Sequence, residues 1–152
     1  MPTMAAEEIR IGELAIRFLL EGEESDGSVA MFEFTVPADA KVPIAHGHDA
    51  YEETVYGLEG TLTWTVEGQR HEVGPGEVLC IRRGAVHRFE NEGEVAARAL
   101  GVVTPGVLGP DYFRDVAGIV AEAVAAGRPP DPAAIGEVML RHGLTPAKPV
   151  AA

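Results

Sequence analysis

Apolar positions in the first two-thirds of the chain come in short runs at 14–20, 29–36, 54–58, 61–66, 78–81 and 95–103. Turn residues separate them: Glu-Gly, Asp-Gly, Pro-Gly and Asn-Glu-Gly. Short runs at this even spacing predict the strands of a β-sandwich or barrel, not alternating strand–helix units. Within 61–66, Leu62, Trp64 and Val66 alternate with Thr61, Thr63 and Thr65, which gives a strand one apolar and one hydroxyl face. Glu67-Gly68 then turns the chain into 69–73 and predicts a hairpin.

Beyond Thr104-Pro105-Gly106 the period changes. Phe113, Val116, Val120, Val124 and Gly127 recur at helical spacing, with Pro110 or Asp111 placed to start the helix. A second, shorter helix is expected from Asp131-Pro132, where the Asp side chain accepts from free amides and Pro lacks a donor that would be orphaned anyway. It should stop at Gly143, with Arg141 and His142 at the negative end of its dipole. Helices this short are not stable alone and must pack on the β-domain. The expected organisation is a strand segment over 1–28, a β-core over 29–104, a helical extension over 105–145 and a frayed tail over 146–152.

Composition narrows the class. A length of 152 residues fits one domain with a sizeable core. With 24 Asp+Glu against 12 Lys+Arg, the net charge of −12 argues against a nucleic-acid partner, which needs a basic face, and against docking on anionic membranes. The single Cys80 cannot form an intramolecular disulfide. No apolar run approaches the length of a spanning helix. Glu7, Glu8 and Glu13 do not read as a signal peptide, so a cytoplasmic location is expected.

The chemically loaded residues are histidines and carboxylates. His46 and His48 are two apart, so on an extended strand they face the same side with Cα atoms about 6.6 Å apart. Imidazoles at that spacing can converge on one metal ion, although an isolated His-x-His pair is often only a solvated loop. Glu52 and Glu53 follow closely, and His87 lies further along, followed by Asn91. Three imidazoles with a carboxylate are a nitrogen/oxygen set that suits a divalent transition metal better than Ca²⁺ or Mg²⁺.

These residues fall into two spaced motifs, His46-x-His48-x4-Glu53-x6-Gly60 and Gly76-x5-Arg82-x-Gly84-x2-His87-x3-Asn91, separated by residues 61–75. Together they resemble the paired motifs of the cupin superfamily, with Ala40 and Arg82 standing where that family usually has Gly and Pro. The resemblance implies an all-β jelly-roll barrel, here with two short C-terminal α-helices. It also implies a metal held by His46, His48, Glu53 and His87, with Fe, Mn, Ni, Cu or Zn as candidates. Adjacent strand residues face opposite ways, so only one of Glu52 and Glu53 can point inward, and the spacing to Gly60 favours Glu53.

The resemblance further implies a small-molecule substrate or ligand, a homodimer formed through sheet edges with residues 9–20 as the pairing segment, and Glu53 as the residue able to move a proton. Three activities fit: a dioxygenase-like oxidoreductase of quercetinase type, a non-catalytic binding module, and an isomerase acting on a sugar or keto acid. The scarcity of Lys and Asn (Lys41, Lys148, Asn91) favours an apolar substrate. Other residues read more plainly. Cys80 is expected in the core, His71 on the surface, His142 at a helix end, and Arg82 and Arg83 on the rim in salt bridges. Phe32 and Phe34 share a core face. Tyr56, Trp64, Phe89, Tyr112 and Phe113 are core first and cavity lining second. If the helices cover a barrel mouth, Tyr112 or Phe113 lies near a substrate.

Overall fold

A computed structural model describes residues 7–40 and 44–147. Along the chain the strands are β1 (Glu8–Ile11), β2 (Leu14–Leu20), β3 (Ala30–Val36), β4 (His46–His48), β5 (Glu52–Glu59) and β6 (Leu62–Val66). They continue as β7 (Gln69–Val73), β8 (Val78–Ile81), β9 (His87–Glu90) and β10 (Ala97–Thr104). Helices α1 (Pro110–Ala125) and α2 (Pro132–Arg141) follow, and β11 (Leu144–Pro146) ends the described chain.

The strands form two sheets, ordered β1-β2-β3-β10-β5-β8 and β11-β4-β9-β6-β7, with antiparallel pairing throughout. This is a jelly roll with two helices, as expected, although no hydrogen-bonded ladder joins the two sheets into a closed barrel among the described residues.

Local chemistry explains the elements. β6 and β7 turn through Glu67 (φ 48) and Gly68 (φ 78), both left-handed, which matches the twist of a tight hairpin. Asp131 caps α2 by accepting from the Ala133 amide at 3.0 Å, and Gly143 (φ 83) ends it. Alternation in β3 buries Phe32, Phe34 and Val36 against the inner face. Opposite Phe32 in β10 stands Gly101, where an added Cβ would come within 2.9 Å of the Phe32 ring. The bare backbone there lets that ring lie flat across the sheet.

The helices are tied to the sheets at both ends. Arg114 of α1 ion-pairs with Glu7 and with Asp111. His142, at the C-cap of α2, reaches Asp115 of α1 at 3.0 Å. From there β11 pairs with β4, with Leu144 opposite His48 and Pro146 opposite His46. Pro146 was expected to begin a frayed tail; it is instead a strand residue, while 148–152 lie outside the described residues. A three-residue strand ending in Pro carries no alternation of its own, so its partner strand defines it.

Two further expectations are corrected. Cys80 is exposed rather than buried. Tyr56 is 42% exposed rather than in the core. Both point away from the core, because Thr54 pairs with Cys80 and Tyr56 with Val78 on the outer face of β5 and β8, while Val55 and Ile81 face inward. An unbroken apolar run such as Val78-Leu79-Cys80-Ile81 hides which parity faces in. Residues 9–20, expected to pair with a second subunit, form the β1–β2 hairpin, in which β2 lies against β3 and β1 stands at the edge of its sheet.

Candidate metal centre

β4 and β9 bring the histidines together. Their ladder sets His46 opposite His87, and the two-residue period turns His48 to the same side. Ring centroids are 4.5–5.0 Å apart, and each imidazole offers a ligand atom within 4.8 Å of the others. Glu53 comes from the facing sheet on β5. Its Oε2 lies 3.7 Å from Nε2 of both His48 and His87. Its neighbour Glu52 turns outward and accepts from Arg83 at 3.1 Å. Strand parity thus separates the two adjacent carboxylates, and Arg83 takes the rim role expected of it.

Backbone contacts fix the tautomers of two rings. Nδ1 of His46 donates to the Ile44 carbonyl at 3.2 Å, and Nδ1 of His87 to the Ala85 carbonyl at 2.9 Å. Each ring thereby turns Nε2, the nitrogen a metal would take, away from the backbone. The third ring is held by stacking: Tyr51, fully buried, lies parallel to His48 at 4.4 Å. His48 Nδ1 and the Tyr51 hydroxyl are buried without partners. Sequence reasoning missed Tyr51, because it sits in the loop after β4 and takes part in neither motif; a lone aromatic five residues past His46 was the available signal.

Burial dominates the electrostatics. It holds the His46 imidazole down to about 3 and His48 to about 4, so both are neutral. Burial alone would raise Glu53, but its interactions with His87, His48 and His46 outweigh this and hold the carboxyl below its ordinary value. A carboxylate held low, 7% exposed, therefore faces the buried His48 and His87 rings at 3.7 Å, beyond hydrogen-bonding range. Burying an unpaired charge costs several kcal/mol, and a cation between these groups removes that cost. The residues fit a divalent transition metal by donor type, tautomer and charge.

Above this cluster lies a cavity of about 160 Å³. Phe32, Phe34 and Trp64 wall it from the sheets, and Tyr112, Phe113 and Met139 from the two helices. The extension thus covers the mouth and brings both Tyr112 and Phe113 to the cavity. The remaining histidines lie elsewhere: His71 pairs opposite Trp64 on β7, and His142 serves the helix junction. Asn91 is structural, its amide donating to the Val36 and Val95 carbonyls at 3.0 and 2.8 Å.

Comparison with known proteins agrees with this geometry. Residues 32–103 match the cupin domain family. The chain is 27% identical over 103 residues to quercetin 2,3-dioxygenase of Bacillus subtilis, covering 68% of this chain and 30% of that protein. It is 35% identical over 60 residues to the tetracenomycin polyketide synthase protein TcmJ of Streptomyces glaucescens, covering 40% of each. The chain therefore spans well under half the length of these relatives. Among solved structures it resembles a predicted oxalate decarboxylase of Thermotoga maritima (TM-score 0.60, 23% identity, 67% of this chain and 93% of that one). It also resembles the polyketide cyclase RemF of Streptomyces resistomycificus (TM-score 0.57, 24% identity, 74% and 88%). Both structural likenesses speak to the fold alone. With its two motifs, its jelly roll and its inward-facing histidines, the chain carries a cupin domain over residues 32–103.

Proposed function

We propose that the protein is a metal-dependent oxidoreductase of dioxygenase type, acting on a small apolar enol or phenol. The observation that carries this reading is the buried Glu53 carboxylate beside three converging imidazoles at the base of an apolar cavity. His46, His48, His87 and Glu53 would hold the metal, with Nε2 as the ligating atom of His46 and His87. Such a metal supplies Lewis-acid stabilisation of a developing oxyanion and, if redox-active, electron transfer. Glu53 accepts the proton of the substrate hydroxyl, since it is the basic group facing the cavity. The aromatic walls and helices exclude water, which would otherwise return that proton.

The likeness to quercetin 2,3-dioxygenase supports the reaction class. Size refines the substrate. An engineered cavity of about 150 Å³ in another protein takes up benzene, so about 160 Å³ suits one ring rather than the three of a flavonol. An isomerase of sugars needs polar and cationic walls, and among the described residues no Lys, Arg or Asn lines this cavity. Lys41, beside it in sequence, lies outside the described residues. The likeness to TcmJ, a polyketide synthase protein, favours one second reading, in which a small enolic polyketide fragment gives up a proton to the same carboxylate without dioxygen.

Elemental analysis of the wild type and of His48→Ala, followed by oxygen uptake with one-ring enols, tests the proposal. Near-stoichiometric Fe, Mn, Ni or Cu that vanishes in the variant, with oxygen consumption, is the expected result. Zn alone without oxygen uptake moves the assignment to the isomerase or binding class. No metal in either folded protein overturns it. For the assembly we propose a homodimer through a free sheet edge; the β8 edge, where Val78 is 64% exposed, offers an apolar one, and sedimentation equilibrium checks it.

A further inference from the structure

The cavity has one hydrogen-bonding group left over. Apart from the four residues of the centre, the described walls are apolar except for Trp64 and Tyr112. Trp64 does not serve the cavity, because its Nε1 is sealed from all open space and has no partner. Tyr112 differs. Its ring is 7% exposed and lines the cavity, and its hydroxyl has no hydrogen-bond partner among the described residues yet is not sealed.

The ring is also fixed in place. Phe113 packs edge-on at 5.1 Å and His142 edge-on at 5.6 Å, while Asp115 holds His142 from behind. A hydroxyl held against an apolar wall can bond only to water or to a ligand, and a ligand that displaces the water without bringing an acceptor leaves it unpaired. Tyr112 lies in the helical extension, beyond the 32–103 cupin match, so it belongs to what this chain adds to the common fold.

We propose that Tyr112 is the specificity-determining residue of this cavity, donating a hydrogen bond to a second oxygen of the substrate while the first oxygen faces the His/Glu centre. The substrate class is then a single ring carrying two separate oxygen functions. This rests on the reading of the centre as the metal-binding, substrate-facing end of the cavity. The aromatic pair Tyr112 and Phe113 grips the ring faces, and the hydroxyl selects its orientation. A site built to hydrogen-bond a substrate oxygen rejects the analogue that lacks it, because the protein group is then left unpaired.

The test uses nickel-loaded full-length protein without oxygen and two probes that differ by one hydroxyl, 5-hydroxy-2-hydroxymethyl-4-pyranone and 5-hydroxy-2-methyl-4-pyranone. Calorimetric titration should show the wild type preferring the first by about tenfold or more. Tyr112→Phe should bind both with the affinity of the second, at unchanged nickel content. Phe113→Leu, which alters the same wall without removing a hydroxyl, should weaken both alike and keep the preference. A preference that survives in Tyr112→Phe, or no preference in a wild type that binds both, overturns the proposal. Failure of nickel or of both probes to bind overturns it together with the reading of the centre. Selective binding through Tyr112 without oxygen uptake on loading with other metals leaves it standing and removes only the oxidoreductase reading.

Discussion

Leu144 lies directly opposite His48, so the strand that ends the helical extension is paired with the strand carrying two of the three imidazoles. Thr145 strengthens the junction by donating to both carboxylate oxygens of Asp49 at 2.9 Å. Helices that cover the cavity are therefore anchored on the residues that form its base, and covering and ligand positioning are mechanically joined.

Leu144 is 1% exposed, and its truncation should cost about 2–5 kcal/mol. Leu144→Ala is expected to lower the melting temperature and to speed metal loss to a chelator. Val103→Ala, a truncation in the other sheet, should lower the melting temperature with less effect on metal retention. Equal metal loss in both variants would show that the junction does not position His48.

Glu53→Gln keeps the shape of the side chain and removes its charge. The variant should bind the metal more weakly, by about 10–100-fold or more, since even groups that only support metal ligands cost that much when lost, and any turnover should fall with it. Glu52→Gln, whose partner is the exposed Arg83, should retain both properties. Competition with a metal indicator and a turnover assay separate the two carboxylates.

Acid should destabilise the metal-free protein in a defined window. His46 and His48 titrate at about 3 and about 4 when folded, against 6.5 ordinarily. Between those limits the unfolded chain binds protons that the folded one refuses, so stability rises with pH and is lost as pH falls from 6.5. Carboxylates such as Glu7 and Glu53, held below 4.5, act lower in the range. Melting temperatures should decline from pH 6.5 to 4.5, and the decline should be shallower in His46→Asn. A flat profile in the wild type would refute the neutral, buried imidazoles.

Asn91 holds two carbonyls that no other described side chain reaches. Asn91→Ala should cost about 1–3 kcal/mol, read from urea unfolding, because the amide's bond to the buried Val36 carbonyl is lost. Metal content should hardly change.

Cys80 faces outward, so a thiol reagent should label the native protein at the rate of a free thiol and leave metal content intact. Protection until unfolding would return the residue to the core.

Much of this architecture was legible in the chain. The turn signals bounded β2, β6, β7 and β8 closely, because Gly and Asp mark positions where the backbone must reverse. Helix α2 announced itself through Asp131, Pro132 and Gly143, whose capping chemistry is local. The resemblance to cupin motifs named His46, His48, Glu53 and His87 as one set, while strand geometry by itself put His46 and His48 on one face and only one of Glu52 and Glu53 inward.

Other features depended on pairing between distant segments. Val78 to Ile81 is apolar throughout, so only its register against β5 shows that Cys80 faces out. Tyr51 has no motif, and its stacking on His48 exists only once β4 and the following loop are in place. β11 is a strand only because β4 offers it an edge. The cavity that sets substrate size is the space between two sheets and two helices, a volume that no local pattern encodes. Sequence determines what is written in short-range sterics, capping and periodicity: the jelly roll, the helices and the set of donor residues. Tertiary structure alone decides register, the faces of uniformly apolar strands, and which side chains from separate elements enclose the same space.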